Sequence, residues 1–388
     1  MKQEPVRQKS AIVIGGSLGG LFAGTALERA GWNVAVYERS AHDLVGRGGG
    51  IVLQPEVVSA FRQAGAETKL SNLGVQSQHR TVFNPDGSIR SKKLAPQTQT
   101  SWSMIYTNLR SAFSGSYQQG KVLSGITQNH AAGTVTAMFE DDTDVTADLL
   151  VGADGNGSTT RQLLWPNSEP SYAGYLAWRG LMPEDEMPAL AREALHGDFA
   201  FANVTGSHML GYLVPGFDGD TRPGHRLYNF VWYRVADAET LTDIMTDKDG
   251  RHRGFAMPRG KLADRWIKHL RDDADQLLPP PFRDLVHATE DPFAQAIRDL
   301  ALDSMVEGRV ALIGDAAFIP RPHTGAGTAK AAYNAMTLAD ALNQTADVEQ
   351  ALLGWEIDQI RLGRQLYREG TSTGDYLMFD KPAMAQVG

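Results

Sequence analysis

The chain has 388 residues, of which 42% are hydrophobic and 21% charged, and carries a net charge of −8. That length is ample for a large core and for two domains, and the acidic balance gives no footprint for a polyanion. The densest basic cluster, Arg251-His252-Arg253, reads as a solvated loop, and the lack of cysteine excludes disulfides, thiol catalysis and thiolate metal sites. Lys2 and Arg7 precede an apolar run in the manner of a secretory signal. Glycines interrupt that run and a βαβ pattern continues it, so a soluble cytoplasmic protein is expected, with no bilayer-spanning stretch.

The first element is Ala11-Ile12-Val13-Ile14, an apolar strand that breaks into Gly15-Gly16-Ser17-Leu18-Gly19-Gly20. Leu18, Leu21, Phe22 and Ala26 then fall at the spacing of one buried helix face. Gly31 stops the helix, and Asn33 to Tyr37 reads as a second buried strand ending at Glu38. Strand, glycine turn, helix, strand and terminal acid form a dinucleotide-binding unit. A diphosphate must approach the backbone closely, the helix N-terminus offers free N–H groups, and the acid is placed for a ribose diol. Ser17 stands where the second glycine of the G-x-G-x-x-G frame is usual.

Val45 to Leu53 is a glycine cluster feeding a strand, a composition suited to close approach of a ligand. Pro55 to Ala64 reads as a short helix, Asn84-Pro85-Asp86-Gly87 as the turn of a hairpin near 78–95, and Asn108 to Phe113 as helical. Residues 120–150 alternate like a small antiparallel meander. Its Asp141-Asp142-Thr143-Asp144 is an acidic turn without calcium-loop spacing, so no metal site is expected.

An apolar strand, Leu149 to Val151, leads into Gly152-Ala153-Asp154-Gly155, a capping Ser158 and Arg161. Residues 171–290 hold aromatic strands at Tyr172–Gly180, Phe199–Leu213 and His225–Arg234, then a helical segment to about 285, the pattern of a substrate platform. From Gly308 the α/β pattern returns: Arg309 to Ile313 is a strand with Gly314-Asp315 at its carboxyl end, and an Ala-rich helix follows Thr324. Residues beyond about 370 read as an irregular tail.

Three motifs in this order carry a resemblance: the turn at 15–20 with Glu38, the Gly152-Ala153-Asp154-Gly155…Ser158…Arg161 segment, and Gly314-Asp315-Ala316-Ala317…Pro322…Gly325-Ala326-Gly327. Together they resemble the group A flavoprotein aromatic hydroxylases of para-hydroxybenzoate hydroxylase type, over essentially the whole chain. Within that group the chain resembles the 2,6-dihydroxypyridine 3-monooxygenases. It shares with them the serine in the glycine turn, Tyr172-Ala173-Gly174-Tyr175…Trp178-Arg179-Gly180, and Gly314-Asp315-Ala316-Ala317…Pro320-Arg321-Pro322-His323.

The resemblance implies an α/β fold with a discontinuous Rossmann-like FAD-binding domain (1–77, 96–170, 290–370). A β-sheet substrate domain (78–95, 171–289) would be interleaved with it, and a tail (371–388) would follow. It implies FAD held by Gly15, Gly16, Ser17, Leu18, Gly19, Gly20, Glu38 and Arg39 in the first motif, and by Gly314, Asp315, Pro322, Gly325, Ala326 and Gly327 in the third. Asp154 and Gly155 would serve both FAD and the groove where NADH or NADPH docks transiently, with NADH favoured. The helix after Gly325 would point its positive end at the flavin. Departures from the group are Phe318 for His, Ala329 for Asn, Asn334 for Asp, and Thr107-Asn108 where an arginine is common.

The chemistry implied is reduction of FAD, oxygen addition to a flavin C4a-hydroperoxide, and attack by an electron-rich ring, expected here to be a hydroxypyridine. His323 is the first candidate for a polar substrate contact or base, with capping of the helix start as its bland alternative. Tyr175, Trp178 and Arg179 share the strand that lines the cavity in relatives, and alternation puts Tyr175 and Arg179 on one face and Trp178 on the other. Tyr228 and Trp232 are weaker candidates on a neighbouring strand, and His208 and His225 read as structural. The expected partners are a small aromatic substrate and O2, with no nucleic acid and no membrane; the resemblance allows a homodimer. Competing readings are a hydroxylase of another scaffold (phenol, polyketide, urate or hydroxynicotinate) and a non-catalytic FAD-binding redox protein. A halogenase lacks its Trp-x-Trp-x-Ile-Pro signature here, and a plain NAD dehydrogenase leaves the Gly314-Asp315 strand end unexplained.

Overall fold

Ser10–Ile14 is apolar because it is buried on both faces at the centre of a six-stranded sheet. Parallel neighbours flank it: Asn33–Glu38 on one side, followed by Ser116–Gln119, and Leu149–Gly152 on the other, followed by Val310–Leu312. Val306–Glu307 closes the edge antiparallel. The chain therefore leaves the central strand in one direction and returns on its other side, and the carboxyl edge opens at that reversal. The computed structural model describes residues 7–46, 48–67 and 70–380.

The turn after Ile14 works because of what its glycines avoid. Gly15 sits at φ +103°, and a Cβ there would lie 2.6 Å from the Ala153 carbonyl oxygen. At Gly20 a Cβ would lie 1.8 Å from the Gly15 carbonyl oxygen, so only glycine lets the helix Leu18–Arg29 start this close to the strand. That helix packs against Gly327–Gln344, which brings two distant motifs side by side.

A second sheet of ten strands carries the aromatic segments, and Ser171–Pro183, Leu227–Val235 and Ser207–Val214 lie adjacent within it. The helices Ala189–Leu195, Asp264–Leu277 and Pro280–Ala288 cover one face with an apolar core. The opposite face looks toward the first sheet's carboxyl edge. The expected hairpin is present but longer, with strands Val75–Phe83 and Ile89–Ser101, and Gly50–Val52 pairs with its second strand. The expected meander is Leu123–Asn129, Thr134–Phe139 and Asp144–Ala147. The helix expected at 108–113 begins earlier, spanning Trp102–Ala112 with Ser101 capping the Met104 N–H.

The C-terminal expectation is corrected. Residues 371–379 are no irregular tail but the end of a 32-residue helix, Val348–Phe379. The run Gly370-Thr371-Ser372-Thr373-Gly374 has poor helix propensity, and close packing outweighs it. A Cβ at Gly370 would lie 2.8 Å from the Arg321 backbone nitrogen, and one at Gly374 would lie 2.7 Å from the Tyr175 hydroxyl. Residues 381–388 lie outside the described residues.

The glycine geometry predicts opposite outcomes for two neighbours. Gly20→Ala is expected to cost about 2 kcal/mol or more of unfolding free energy, because the clash is with backbone. Gly19→Ala, whose Cβ would have its nearest neighbour 3.7 Å away, is expected to hold or gain stability in urea denaturation.

Candidate active site

A cleft of about 380 Å³ follows the carboxyl edge of the parallel sheet. Gly15, Ser17, Leu18, Gly19, Glu38, Arg39, Asp154, Gly155, Gly314, Asp315 and Gly327 all line it. Gly16, Gly20 and Ala326 do not; the first two act as spacers, Gly16 beneath Tyr117 and Gly20 against Gly15. Pro322 and Gly325 line a second cavity instead. Neither the helix Leu18–Arg29 nor Gly327–Gln344 is capped by its preceding residue's side chain, so both leave first-turn N–H groups facing the cleft. A dinucleotide fits this donor set: two uncapped helix starts for a diphosphate and a carboxylate at the far end for a ribose.

Glu38 is buried, and its carboxylate accepts from the Gly16 N–H (2.7 Å) and the Ser40 N–H (2.8 Å), bracing the turn it faces. Asp154 accepts from the Ser158 hydroxyl (2.5 Å) and from the N–H (2.9 Å) and hydroxyl (3.1 Å) of Thr160, so it starts the helix Thr159–Leu164 while bordering the cleft. Arg161 is buried and donates to the carbonyls of Asn156, Ser168 and Ala316, tying this segment to the Gly314 turn. The departures from the group also have local uses. Asn334 accepts from the Gly314 N–H (3.1 Å) and donates to Gln359 (2.8 Å), while Phe318 is buried under Gly363.

The second cavity, about 470 Å³, shares Asp315, Gly327 and Thr328 with the first. Its floor is the uncovered face of the large sheet. Pairing sets His208, Tyr233, Ala177 and Gln295 in one row across four strands, and Leu210, Val231 and Arg179 in the next. Two residues along a strand separate the rows by about 7 Å. Thr373 and Leu377 of the terminal helix form part of the wall.

His323 stands over the first row, 4.8 Å from the Tyr233 ring and 5.6 Å from His208 between centroids, and its Nε2 lies 2.8 Å from the Tyr175 hydroxyl. Burial, His208 and Arg321 push His323 down to about 3, and burial pushes His208 down to about 4, so both imidazoles are neutral near pH 7. His323 is therefore a hydrogen-bonding wall residue and a weak base. Burial, against the nearby Arg179, raises Tyr233 to about 12. Arg179 donates to the Gln295 amide oxygen only at 3.4 Å, its buried Nε has no partner, and no carboxylate pairs with it among the described residues.

Trp178 and Tyr228 are corrected as cavity residues. Strand alternation turns both, with Trp232, into the helix-covered core, where the Tyr228 hydroxyl is buried. His208 is the opposite case: it lines the cavity, together with Tyr212 and Tyr233, which the sequence did not single out. The signal was available, since these side chains share the parity of Arg179 once the pairing register is known. The glycines at 49–50 make room for this wall, and Gly50 itself lines the cavity. A Cβ would lie 2.9 Å from Arg179 Nη2 at Gly49 and 2.5 Å from the Tyr212 ring at Gly50. Arg47, between them and Gly46, lies outside the described residues.

A dinucleotide cleft at a sheet reversal, opening into a chamber floored by a second sheet, defines a flavin-dependent monooxygenase architecture. The FAD binding domain family matches residues 8–203, and an FAD binding domain-like family matches 172–299. The chain is 36% identical to 2,6-dihydroxypyridine 3-monooxygenase of Paenarthrobacter nicotinovorans, over 90% of this chain and 87% of that one. It superposes on the structure of 2,6-dihydroxypyridine-3-hydroxylase from Arthrobacter nicotinovorans with a TM-score of 0.90 at 32% identity, covering 98% and 96% of the two chains. HpxO of Klebsiella pneumoniae, solved with FAD and uric acid, shares the fold at a TM-score of 0.75 and 23% identity, over 95% and 88%. The chain belongs to the FAD binding domain family and is an FAD-dependent monooxygenase of the aromatic hydroxylase type. Among the described residues no helix is long and apolar enough to cross a membrane.

The buried imidazoles make acid stability a test of the site. Their pKa values are lower folded than unfolded, so the unfolded chain binds more protons below about pH 6.5, and stability falls as pH drops through that window toward about 4. Each contributes a slope of up to about 1.4 kcal/mol per pH unit. His208→Gln with His323→Gln is expected to flatten this acid-side loss in denaturant titrations at successive pH values.

Proposed function

We propose that this monooxygenase hydroxylates a small, electron-rich hydroxypyridine such as 2,6-dihydroxypyridine, using NAD(P)H. The observation that carries the reading is the Arg179 guanidinium, which has no carboxylate partner among the described residues, one row from the neutral His208 and His323 on the floor of the second cavity. The separation of about 7 Å between rows suits a six-membered ring with oxygens at both ends. The likeness to 2,6-dihydroxypyridine 3-monooxygenase over most of both chains supports the same substrate class.

FAD would lie along Gly15–Gly19, Glu38, Asp154 and Asp315 with its ring end toward Gly327 and the second cavity. When reduced by NAD(P)H and supplied with O2, it provides the oxygen that the ring attacks. Overall, the ring C–H becomes C–OH, NAD(P)H is oxidised to NAD(P)⁺, and the second oxygen atom leaves as water with one proton taken up. Arg179 holds a ring oxygen as its anion, which lowers that hydroxyl's pKa and enriches the ring in electrons. His323, oriented by Tyr175, and His208 hold the other polar edge. Tyr212, Tyr233, Val231 and Leu210 exclude water from the reacting carbon.

The test follows NADH and NADPH oxidation with 2,6-dihydroxypyridine, urate and 6-hydroxynicotinate, with peroxide and product assayed together. The expected result is oxidation stimulated by the hydroxypyridine with little peroxide, and a kcat/KM lowered roughly 10–100-fold by Arg179→Met. Coupled turnover of urate alone, or stimulation that yields only peroxide, would reject this substrate class.

A further inference from the structure

Among the described residues Lys330 is the only buried lysine, and its position breaks two local rules at once. It lies at the start of the helix Gly327–Gln344, where the helix dipole already presents positive charge and a cation is disfavoured. Its side chain is 1% exposed, so its charge is also removed from water. Two groups compensate: Nζ lies 3.0 Å from Asp315 Oδ1 and donates to the Phe318 carbonyl oxygen. Asp315 is 48% exposed at its side chain and borders both cavities, at the point where they meet. No other hydrogen bond reaches the Asp315 carboxylate among the described residues, so Lys330 alone fixes it.

The pair is a poor source of stability, since the lysine is removed from water while half of the Asp315 side chain stays in it. A conflict with local preference that the fold does not need points to function. The pair leaves a carboxylate oriented toward the cleft, backed by a fixed cation, at the mouth of a helix N-terminus. Both the cation and the helix end favour negative charge on a ligand beside them, and a flavin gains negative charge when reduced.

We infer that Lys330 is a positioning residue for the cofactor, orienting Asp315 for FAD and adding a buried positive charge that favours the reduced flavin. The inference rests on the placement of FAD along Asp315 proposed above.

The test compares the parent protein with Lys330→Met, Lys330→Gln, Asp315→Asn and the Asp315→Asn/Lys330→Met double variant. It measures FAD affinity of the apoprotein by flavin fluorescence quenching, the flavin midpoint potential, and the apoprotein melting temperature. Lys330→Met is expected to melt near the parent, bind FAD at least tenfold more weakly and show a more negative potential. Lys330→Gln, which keeps a donor for the Phe318 carbonyl but no charge, is expected to do the same, and it decides the matter if the methionine variant does not fold. The double variant is expected to bind FAD no more weakly than Asp315→Asn alone. Parent-like affinity and potential in the lysine variants, or fully additive losses in the double variant, would overturn the inference. A parent apoprotein that takes up no FAD would instead overturn the cofactor placement beneath it.

Discussion

The two halves of the active site are held in register by one buried guanidinium. Arg321 grips Asp299 on the strand Phe293–Ala301 through Nε and Nη2, and Asp375 on the terminal helix through Nη1, at 2.8–3.1 Å. Its charged end also lies over the Tyr175 ring at 5.5 Å. Burial opposes its charge, and the hydrogen bonds it donates to both carboxylates more than offset this, holding its pKa above the ordinary value. Removing one partner from such a cluster strands a buried charge, at a typical cost of about 3–5 kcal/mol. The loop Pro320–Gly325 is thereby pinned between sheet and helix, and with it His323 and the start of the helix Gly327–Gln344.

This clamp shapes the electrostatic character of the chamber. The acids near Arg321 are consumed by it, and Asp315 is matched by Lys330, so among the described residues the lining arginines Arg179, Arg80 and Arg298 have no carboxylate partner, and Arg179 sits on the sheet floor among neutral imidazoles and tyrosines. In a low-dielectric setting an uncompensated guanidinium is costly, and a negative oxygen brought by a ligand, as in the proposed function, would offset that cost. The packing that makes the chamber also bounds it. Gly374 and Gly370 let the terminal helix approach closely enough for Thr373 and Leu377 to close one wall.

What was legible in the sequence follows from how local each constraint is. The glycine turn is readable because backbone clearance at Gly15 and Gly20 leaves a residue-type signature, and the Asp154 and Asp315 segments are readable as strand ends. Alternation along one strand correctly separated Tyr175 and Arg179 from Trp178. Choosing among neighbouring strands needs the pairing register, which is non-local, so the sequence alone does not separate Tyr228, in the core, from Tyr233, Tyr212 and His208, which face the cavity. The end of the terminal helix is not legible because Gly370 to Gly374 signals a break in isolation, while its close packing is with Arg321 and Tyr175, far away in sequence. Lys330 gave no signal, since an Ala-rich helix start with one lysine reads as a solvated turn.

The central claim is that substrate lies on the Arg179–His323 face of the large sheet, next to the junction of the two cavities. A crystal structure of the FAD-loaded protein soaked anaerobically with 2,6-dihydroxypyridine tests it most directly. The account predicts ring density between Arg179 and His323, with one ring oxygen in hydrogen-bond contact with the guanidinium. A ring bound away from Arg179, or a well-occupied flavin with no room for a ring on this face, would contradict it.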